Sequence, residues 1–270
     1  MCRRLASAMA ERRFSLSLAF PLVVAHRGAS LERPENTVPA FEGALDAGAD
    51  AVEFDVRMSA DGHPVVMHDP SVDRTTDGTG LVRDLNLVEI KRLRIRSSSG
   101  EDLEVPTLAE TLALLSGRAA IDVEIKNLPG EPDHEPARER AVEATLRALD
   151  ETAFVGAVLL SSFNPRSIAR SRELDPAVPT GLLALQAMPL DDAVALAAAG
   201  GHDWVLPAAG AVLAAGPEAI DHAHDVGLRL GTWIVDDPDV AVTFASWGID
   251  AVATNDPGRV VPAVRGVAPR

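Results

Sequence analysis

The sequence has one cysteine, no tyrosine and only 4% aromatic residues in total. Cys2 cannot form a disulfide within the chain, so we expect a reducing compartment, namely the cytoplasm. With few aromatic rings to stack on bases, the chain lacks the usual platform of a single-strand nucleic-acid binder. No apolar run reaches the ~18 residues of a membrane span, so we expect no stable insertion into a membrane.

Basic residues are also scarce, because 25 Lys and Arg stand against 40 Asp and Glu and give a net charge of −15. Such a charge repels a phosphate backbone, so we expect no nucleic acid as a partner. A phosphate ester can still bind where a divalent cation reverses the local sign. The charge therefore favours a small-molecule ligand.

The length of 270 residues and an apolar fraction of 47% suit one large α/β domain. Four arginines lie in the first 13 residues, but no convincing apolar segment follows them before Pro21. This pattern favours a disordered N-terminal extension over a signal peptide. We predict such an extension over 1–18 and a single domain over 19–270.

Short apolar runs alternate with helical patterns from Leu22 onward, and continuous apolar runs suit parallel strands buried on both faces. The candidate strands are 22–26, 51–56, 119–126, 157–163, 179–185, 203–208, 228–235 and 250–255. The candidate helices are 36–48, 107–117, 136–149, 165–174, 189–199, 216–227, 237–247 and 257–265. Eight strand–helix units predict a (β/α)8 TIM barrel. A doubly wound sheet is the alternative, because periodicity does not show whether the sheet closes.

The interval between residues 56 and 107 is too long for one simple helix. Asp61-Gly62 predicts a two-residue hairpin turn, which would place His68 opposite Asp55. The polar segment 69–104 follows, with one short helix candidate at 86–94. We predict that it is an insertion after the second barrel strand, at the barrel mouth, where such loops usually serve function.

Glu53 and Asp55 interrupt an apolar run at the end of a predicted strand, two residues apart, so their side chains share a face. Glu124 and Lys126 repeat this pattern on the next predicted barrel strand. A buried carboxylate is costly unless it is paired or binds a cation. Three carboxylates predict a site for one divalent cation, Mg²⁺, Ca²⁺ or Mn²⁺. The alternative is a buried salt-bridge network with Lys126.

His26 ends the first predicted strand, and the hairpin brings His68 to the same rim. Two imidazoles beside a metal site suit general acid–base catalysis, because their ordinary pKa of ~6.5 lies near operating pH. Metal ligation by the histidines is the alternative. Arg27 and Lys126 supply positive charge that suits a phosphoryl group, and Arg27 could also pair with Glu35.

Six short motifs follow one another across 22–126. They are His26-Arg27-Gly28, Pro34-Glu35-Asn36-Thr37, Glu53-Phe54-Asp55, Val65-Val66-Met67-His68-Asp69, Arg74-Thr75-Thr76 with Gly78, and Glu124-Ile125-Lys126. Ser162-Phe163, Trp233 and Thr254-Asn255-Asp256-Pro257 extend the series to 257. In order and spacing, this series resembles the glycerophosphodiester phosphodiesterase family.

The resemblance implies a metal-dependent barrel enzyme that cleaves glycerophosphodiesters to sn-glycerol 3-phosphate and an alcohol. The metal ligands that it implies are Glu53, Asp55 and Glu124, and the acid and base are His26 and His68. The substrate or phosphate contacts that it implies are Arg27, Lys126, Glu35 and Trp233. It also implies that 69–104 contributes to the glycerol pocket. Asp236 stands where the family often has Asn, which puts a substrate contact from that position in doubt.

Two other functions remain as alternatives. One is a non-catalytic barrel that holds phosphate esters, and the other is lysophospholipase D-like cleavage of a lipid phosphodiester. The presence of both histidines and all three carboxylates favours an enzyme. The net charge of −15 favours a small soluble diester over a bilayer phospholipid as the substrate.

Overall fold

The computed structural model describes residues 21–98 and 100–267, so the extension predicted over 1–18 lies outside the described residues. The strands are β1 (Leu22–His26), β2 (Ala51–Met58), β3 (Pro64–Val66), β4 (Ala120–Ile125), β5 (Val158–Ser162), β6 (Thr180–Ala184), β7 (Trp204–Pro207), β8 (Arg229–Thr232) and β9 (Ala251–Thr254). All the strands except β3 run parallel, and β1 pairs with both β2 and β9. The sheet therefore closes into the predicted TIM barrel, and the doubly wound alternative is wrong.

Helices lie between consecutive barrel strands, largely where the sequence predicts them. They are α1 (Val38–Asp46), α2 (Leu87–Arg92), α3 (Leu108–Leu115), α4 (Arg140–Glu151), α5 (Pro165–Leu174), α6 (Leu190–Ala199), α7 (Ala209–Ala215), α8 (Glu218–Asp225), α9 (Pro238–Trp247) and α10 (Pro257–Arg265). The sequence does not predict α7. Gly216 separates α7 from α8. Its φ of +82° is a conformation that glycine adopts without strain. Among the described residues, no helix is both long and apolar enough to cross a membrane.

The two faces of each barrel strand carry different side chains. Outward residues such as Val52, Ile121 and Val205 are fully buried and pack in apolar clusters with the helices. Inward residues near the strand starts, such as Ala51 and Trp204, form a separate apolar cluster inside the barrel. Because side chains alternate along a strand, the next inward positions point toward the C-terminal mouth, where TIM barrels carry their active sites.

The hairpin between β2 and β3 differs from the prediction by one residue. Met58 pairs with Pro64, and the turn contains three residues, 60–62, with Gly62 at φ +84°. The Ser59 hydroxyl donates to the Asp61 carboxylate and accepts from the His63 backbone, which favours the longer turn. The predicted pairing of Asp55 with His68 is therefore wrong, because Asp55 O accepts from Met67 N at 3.0 Å.

The segment between β3 and α3 contains a 3₁₀ helix, Val82–Asp84, and α2, which corresponds to the helix predicted at 86–94. Asn86 and Glu89 form a capping box at the start of α2. An apolar cluster of its own stabilises this region, and its buried members are Val65, Met67, Val72, Val82, Ile90, Ile95 and Val105.

Candidate active site

Three carboxylates lie together at the C-terminal end of the barrel. Asp55 on β2 stands directly across from Glu124 on β4, and Glu53 lies two residues before Asp55. One oxygen from each carboxylate lies within 4.8 Å of the others, and all three residues are buried. This geometry suits a single cation with oxygen ligands.

Local hydrogen bonds orient two of these carboxylates. The Arg27 backbone N–H donates to Glu53 Oε2 at 2.8 Å, and Asn36 Nδ2 donates to Asp55 Oδ2 at 2.7 Å. Thr37 caps α1, so the Asn36 side chain is not needed there. Glu53 Oε1 has no hydrogen-bond partner among the described residues. An unpaired buried carboxylate oxygen is costly, and a bound cation would satisfy it.

The salt-bridge network considered as the alternative to a metal site is also present. Lys126 Nζ donates to Glu124 Oε1 at 2.5 Å and lies 3.0 Å from Asp55 Oδ1. Burial opposes ionisation of Asp55, but Lys126 and Arg27 outweigh it and hold the Asp55 pKa well below its usual range. The network therefore stabilises one carboxylate of the three.

The ionised forms of the other two carboxylates are disfavoured. Burial, with Asp55 and Glu124 nearby, raises the pKa of Glu53 well above its usual range. Burial also raises the pKa of Glu124 to about 7, against the effect of Lys126. A divalent cation would relieve both groups, so the residues present fit a metal as well as a salt-bridge network.

His26 lies at the end of β1, beside the acidic cluster. Its Nδ1 is 2.8 Å from Asn255 Oδ1, and its Nε2 is 3.9 Å from Glu53 Oε2. Burial, with the positive charge of Arg27, lowers the pKa of His26 to about 4. The imidazole is therefore neutral near pH 7, with one nitrogen available to a substrate.

His68 lines the same cavity as His26, although its strand pairing differs from the prediction. Its Nδ1 lies 2.7 Å from Asp69 Oδ1. Arg74, from the 69–104 segment, pairs with both Asp69 and Glu35. Burial lowers the pKa of His68 below its usual range, although Asp55 opposes the shift. Arg74 thus links the segment after β3 to the histidine.

Arg27 stands between the acidic cluster and Glu35. Its guanidinium lies 3.3 Å from Asp55 Oδ2 and 3.1 Å from Glu35 Oε1, so the pair with Glu35 considered from the sequence is present. Arg27, Lys126 and Trp233 line the cavity. Glu35 is held by Arg27 and Arg74.

The cavity at the barrel mouth has a volume of about 540 Å³, within the range of small-molecule sites. Its polar side, from β1, β2 and β4, carries the groups described above. Its other side is apolar and comes largely from the ends of β4 to β8. That wall comprises Leu128, Pro129, Phe163, Leu183, Leu185, Leu206, Trp233 and Ile234.

Asp122 is a buried carboxylate in this cavity that is not among the predicted site residues. It lies two residues before Glu124 on β4, so both side chains face into the barrel. Ser161 Oγ donates to its Oδ1 at 2.7 Å. The alternation that indicates Glu124 and Lys126 also extends to Asp122, so this signal was available in the sequence.

Arg57 is a second missed residue, and its guanidinium is almost completely buried at 1% exposure. Its Nε donates to the backbone carbonyl of His68 at 2.8 Å. Its other nitrogens pair with Glu131 and Asp133 in the loop after β4. Arg57 therefore ties the segment that carries His68 to a loop that lines the cavity.

Asp236, where the sequence departs from the family pattern, accepts hydrogen bonds from two neighbours. Its Oδ1 accepts from Thr254 Oγ1 at 3.0 Å and from the Asn255 backbone N–H at 2.7 Å. Its Oδ2 accepts from Asn255 Nδ2 at 2.8 Å. The carboxylate thus bonds the loop after β9.

Known proteins that are similar to this chain fall in one family. Residues 26–259 match the model of the glycerophosphoryl diester phosphodiesterase family. The chain is similar to a glycerophosphodiester phosphodiesterase of Caldanaerobacter subterraneus, at 34% identity over 90% of this chain and 98% of the relative. A Bacillus subtilis glycerophosphodiester phosphodiesterase is 32% identical, over 87% and 84% of the two chains.

Solved structures show the same fold. A phosphodiesterase of Oleispira antarctica, in complex with the product sn-glycerol-3-phosphate, has a TM-score of 0.81 at 26% identity and covers 91% of this chain and 97% of its own. A glycerophosphodiester phosphodiesterase of Agrobacterium tumefaciens has a TM-score of 0.77 at 26% identity, over 92% and 100% of the two chains.

Proposed function

Because the chain belongs to the glycerophosphoryl diester phosphodiesterase family, we propose that it hydrolyses glycerophosphodiesters to sn-glycerol 3-phosphate and an alcohol. One observation carries the proposal: a single cavity is lined by two histidines, two positively charged side chains and buried carboxylates. The product bound by the Oleispira antarctica relative supports the same product here.

Glu53, Asp55 and Glu124 would hold one divalent cation. Their oxygen-only donor set favours Mg²⁺, Ca²⁺ or Mn²⁺ over Zn²⁺. When bound, the cation would neutralise charge on the phosphoryl group and stabilise the charge that develops there. Three ionised carboxylates beside Arg27 and Lys126 leave one negative charge, which a divalent cation converts to one positive charge. This balance suits a phosphodiester, which carries one negative charge.

Arg27 and Lys126 would contact the phosphate oxygens. Both side chains are already oriented by ion pairs with the acidic cluster, so little side-chain entropy remains to be lost on binding. The guanidinium of Arg27 lines the cavity, and its buried Nε lies on the side of Asp55, 3.3 Å from Oδ2. We propose Trp233 as a wall of the substrate pocket and Glu35 as the group that holds Arg27 in place.

His26 and His68 would share the proton transfers. In-line displacement at phosphorus needs one group to activate the nucleophile and another, on the opposite side, to protonate the leaving alkoxide. Each histidine has one ring nitrogen bonded to a neighbour, Asn255 for His26 and Asp69 for His68. Each therefore keeps its second nitrogen for the reaction. The 69–104 segment would serve the site through Arg74, which bonds Asp69.

A lipid phosphodiester is a second candidate substrate, and the apolar wall of the cavity favours it. Leu185 and Ile234 at the mouth are 60% and 36% exposed, although both are large apolar residues. An acyl chain on the leaving alcohol would cover this wall and gain about 25 cal/mol for each Å² of apolar surface buried. The net charge of −15 favours the small soluble diester instead.

The experiment is a turnover assay of the purified protein on glycerophosphocholine, glycerophosphoethanolamine and monomeric lysophospholipids, with each of Mg²⁺, Ca²⁺ and Mn²⁺. Release of sn-glycerol 3-phosphate from the soluble diesters supports the proposal. Faster cleavage of the lysophospholipid supports the second candidate. If Leu185→Ser loses this faster cleavage, the apolar wall is what binds the lipid. Binding without turnover on every substrate would support the non-catalytic barrel and contradict both enzymatic candidates.

We propose a cytoplasmic location, which the single cysteine, Cys2, supports. Cell fractionation with antibody detection tests it. Recovery of the protein in a compartment other than the cytoplasm would contradict the proposal.

A further inference from the structure

A chain of hydrogen bonds leads from Asp236 through Asn255 to the ring of His26. We propose that Asp236 is a positioning residue, which fixes the amide of Asn255 so that its oxygen accepts from His26 Nδ1–H. The inference rests on the proposed function for its activity readout, whereas its structural readout needs no substrate. Asp236 is thus assigned a task different from a substrate contact.

The orientation of the Asn255 amide follows from the chemistry of its partners. An ionised carboxylate only accepts hydrogen bonds, so the Asn255 group 2.8 Å from Asp236 Oδ2 must be its NH₂. The amide oxygen then faces His26 Nδ1 at 2.8 Å. An amide oxygen only accepts, so Nδ1 must carry the proton. In the neutral ring, Nε2 is then left with its lone pair, on the side of Glu53.

The remaining contact of the Asn255 oxygen does not set this orientation. Ser30 Oγ lies 2.9 Å from Asn255 Oδ1 and 2.7 Å from the backbone carbonyl of His26. A hydroxyl both donates and accepts, so Ser30 can keep its bond to the His26 carbonyl and accept from a reversed amide. Of these contacts, only the one with the Asp236 carboxylate distinguishes the two orientations.

Asp236→Asn reverses this preference with almost no change in shape. The new amide oxygen would remain on the two donors that Oδ1 now serves, the Thr254 hydroxyl and the Asn255 backbone N–H. Its NH₂ would then face the NH₂ of Asn255, and two donors repel. The Asn255 amide should therefore reverse, present NH₂ to His26 Nδ1, and move the ring proton to Nε2.

The first experiment is ¹⁵N NMR of the imidazole rings in the full-length protein with saturating Mg²⁺. The signals of the His26 ring are identified because they disappear in His26→Gln. The wild type should show the Nδ1–H tautomer, and Asp236→Asn should shift His26 toward Nε2–H. In turnover assays the variant should lose roughly 10²-fold in kcat, as expected when a general acid or base is disabled, with little change in KM. Asp237→Asn removes the same charge from the adjacent, exposed helix cap of α9 and should change neither readout.

The exchanged pair, Asp236→Asn with Asn255→Asp, is the decisive variant. The carboxylate introduced at position 255 would accept from the amide introduced at position 236 on one oxygen and from His26 Nδ1–H on the other. The tautomer and most of kcat should therefore return. A wild-type His26 with its proton on Nε2 overturns the proposal, even if no variant folds. So does a folded Asp236→Asn with unchanged tautomer, or a folded exchanged pair that restores neither readout. Loss of activity on all substrates with the tautomers behaving as expected would contradict the proposed function alone.

Discussion

Asp122 is a buried carboxylate outside the proposed set of metal ligands, and its charge should cost stability. Burial raises the pKa of its carboxyl to about 7, against the hydrogen bond from Ser161, and Glu124 and Asp55 add to the rise. Asp122→Asn keeps an oxygen to accept from Ser161 and removes the charge. We therefore expect the variant to be more stable than the wild type at neutral and higher pH.

The pH dependence of this gain follows from the direction of the pKa shift. Below the ordinary value of 3.8, Asp122 is protonated in both the folded and unfolded states, and its charge contributes nothing. Between 3.8 and about 7 only the unfolded state ionises, so the wild type loses stability as pH rises. Above about 7 the full cost applies, which is at most about 4 kcal/mol. A saturating divalent cation should reduce it by neutralising Glu124 and Asp55.

Urea unfolding with chelator, at about pH 5 and about pH 8, measures the difference in free energy between variant and wild type. The difference should widen by roughly 2–3 kcal/mol between these values and shrink with Mg²⁺. Asp225→Asn, an exposed change at the end of α8, is the control and should stay within about 0.5 kcal/mol of the wild type. A gain independent of pH, or a variant less stable at pH 8, would refute the reasoning.

Two further predictions concern the histidines and Arg57. His26→Ala and His68→Ala should each lose about 10²–10⁴-fold on a natural substrate, and only the variant that lacks the general acid should recover on a p-nitrophenyl phosphodiester, whose alcohol leaves unprotonated. Equal responses from two folded, metal-loaded variants would contradict the division of roles. Arg57→Met should cost roughly 3–5 kcal/mol in urea unfolding, because it leaves Asp133, 7% exposed, without its buried partner. A cost below about 1 kcal/mol would show that this pairing contributes little.

Local patterns in the sequence were enough to predict the barrel and the acidic cluster. Alternation along two strands places Glu53, Asp55 and Glu124 inside the barrel, and neighbouring parallel strands bring them together. The same rule reaches Asp122, the register partner of Glu53, although the predicted pattern on this strand begins only at Glu124. Periodicity is a local property, so these inferences needed no knowledge of the tertiary structure.

Other features depend on side chains or on closure of the barrel. The hairpin register was wrong by one residue because the Ser59 hydroxyl favours a three-residue turn that the Asp61-Gly62 pair does not indicate. The bond between His26 and Asn255 joins residues 229 positions apart and forms because β1 pairs with β9. Closure of the barrel places these two strands side by side, and the periodicity of the sequence does not show whether the sheet closes.

Turnover before and after removal of divalent cations tests the central claim most directly. Wild-type protein, exhaustively chelated and assayed on a glycerophosphodiester in metal-free buffer, should be inactive, and Mg²⁺, Ca²⁺ or Mn²⁺ should restore turnover. Glu124→Gln should lose at least roughly 10–100-fold in metal affinity or activity, because replacing a residue that only hydrogen-bonds to a metal ligand already costs this much. Asp122→Asn, two residues away on the same face, should keep its metal response. Full wild-type activity without a cation, or an equal metal response in Glu124→Gln and Asp122→Asn, would contradict a metal held by Glu53, Asp55 and Glu124.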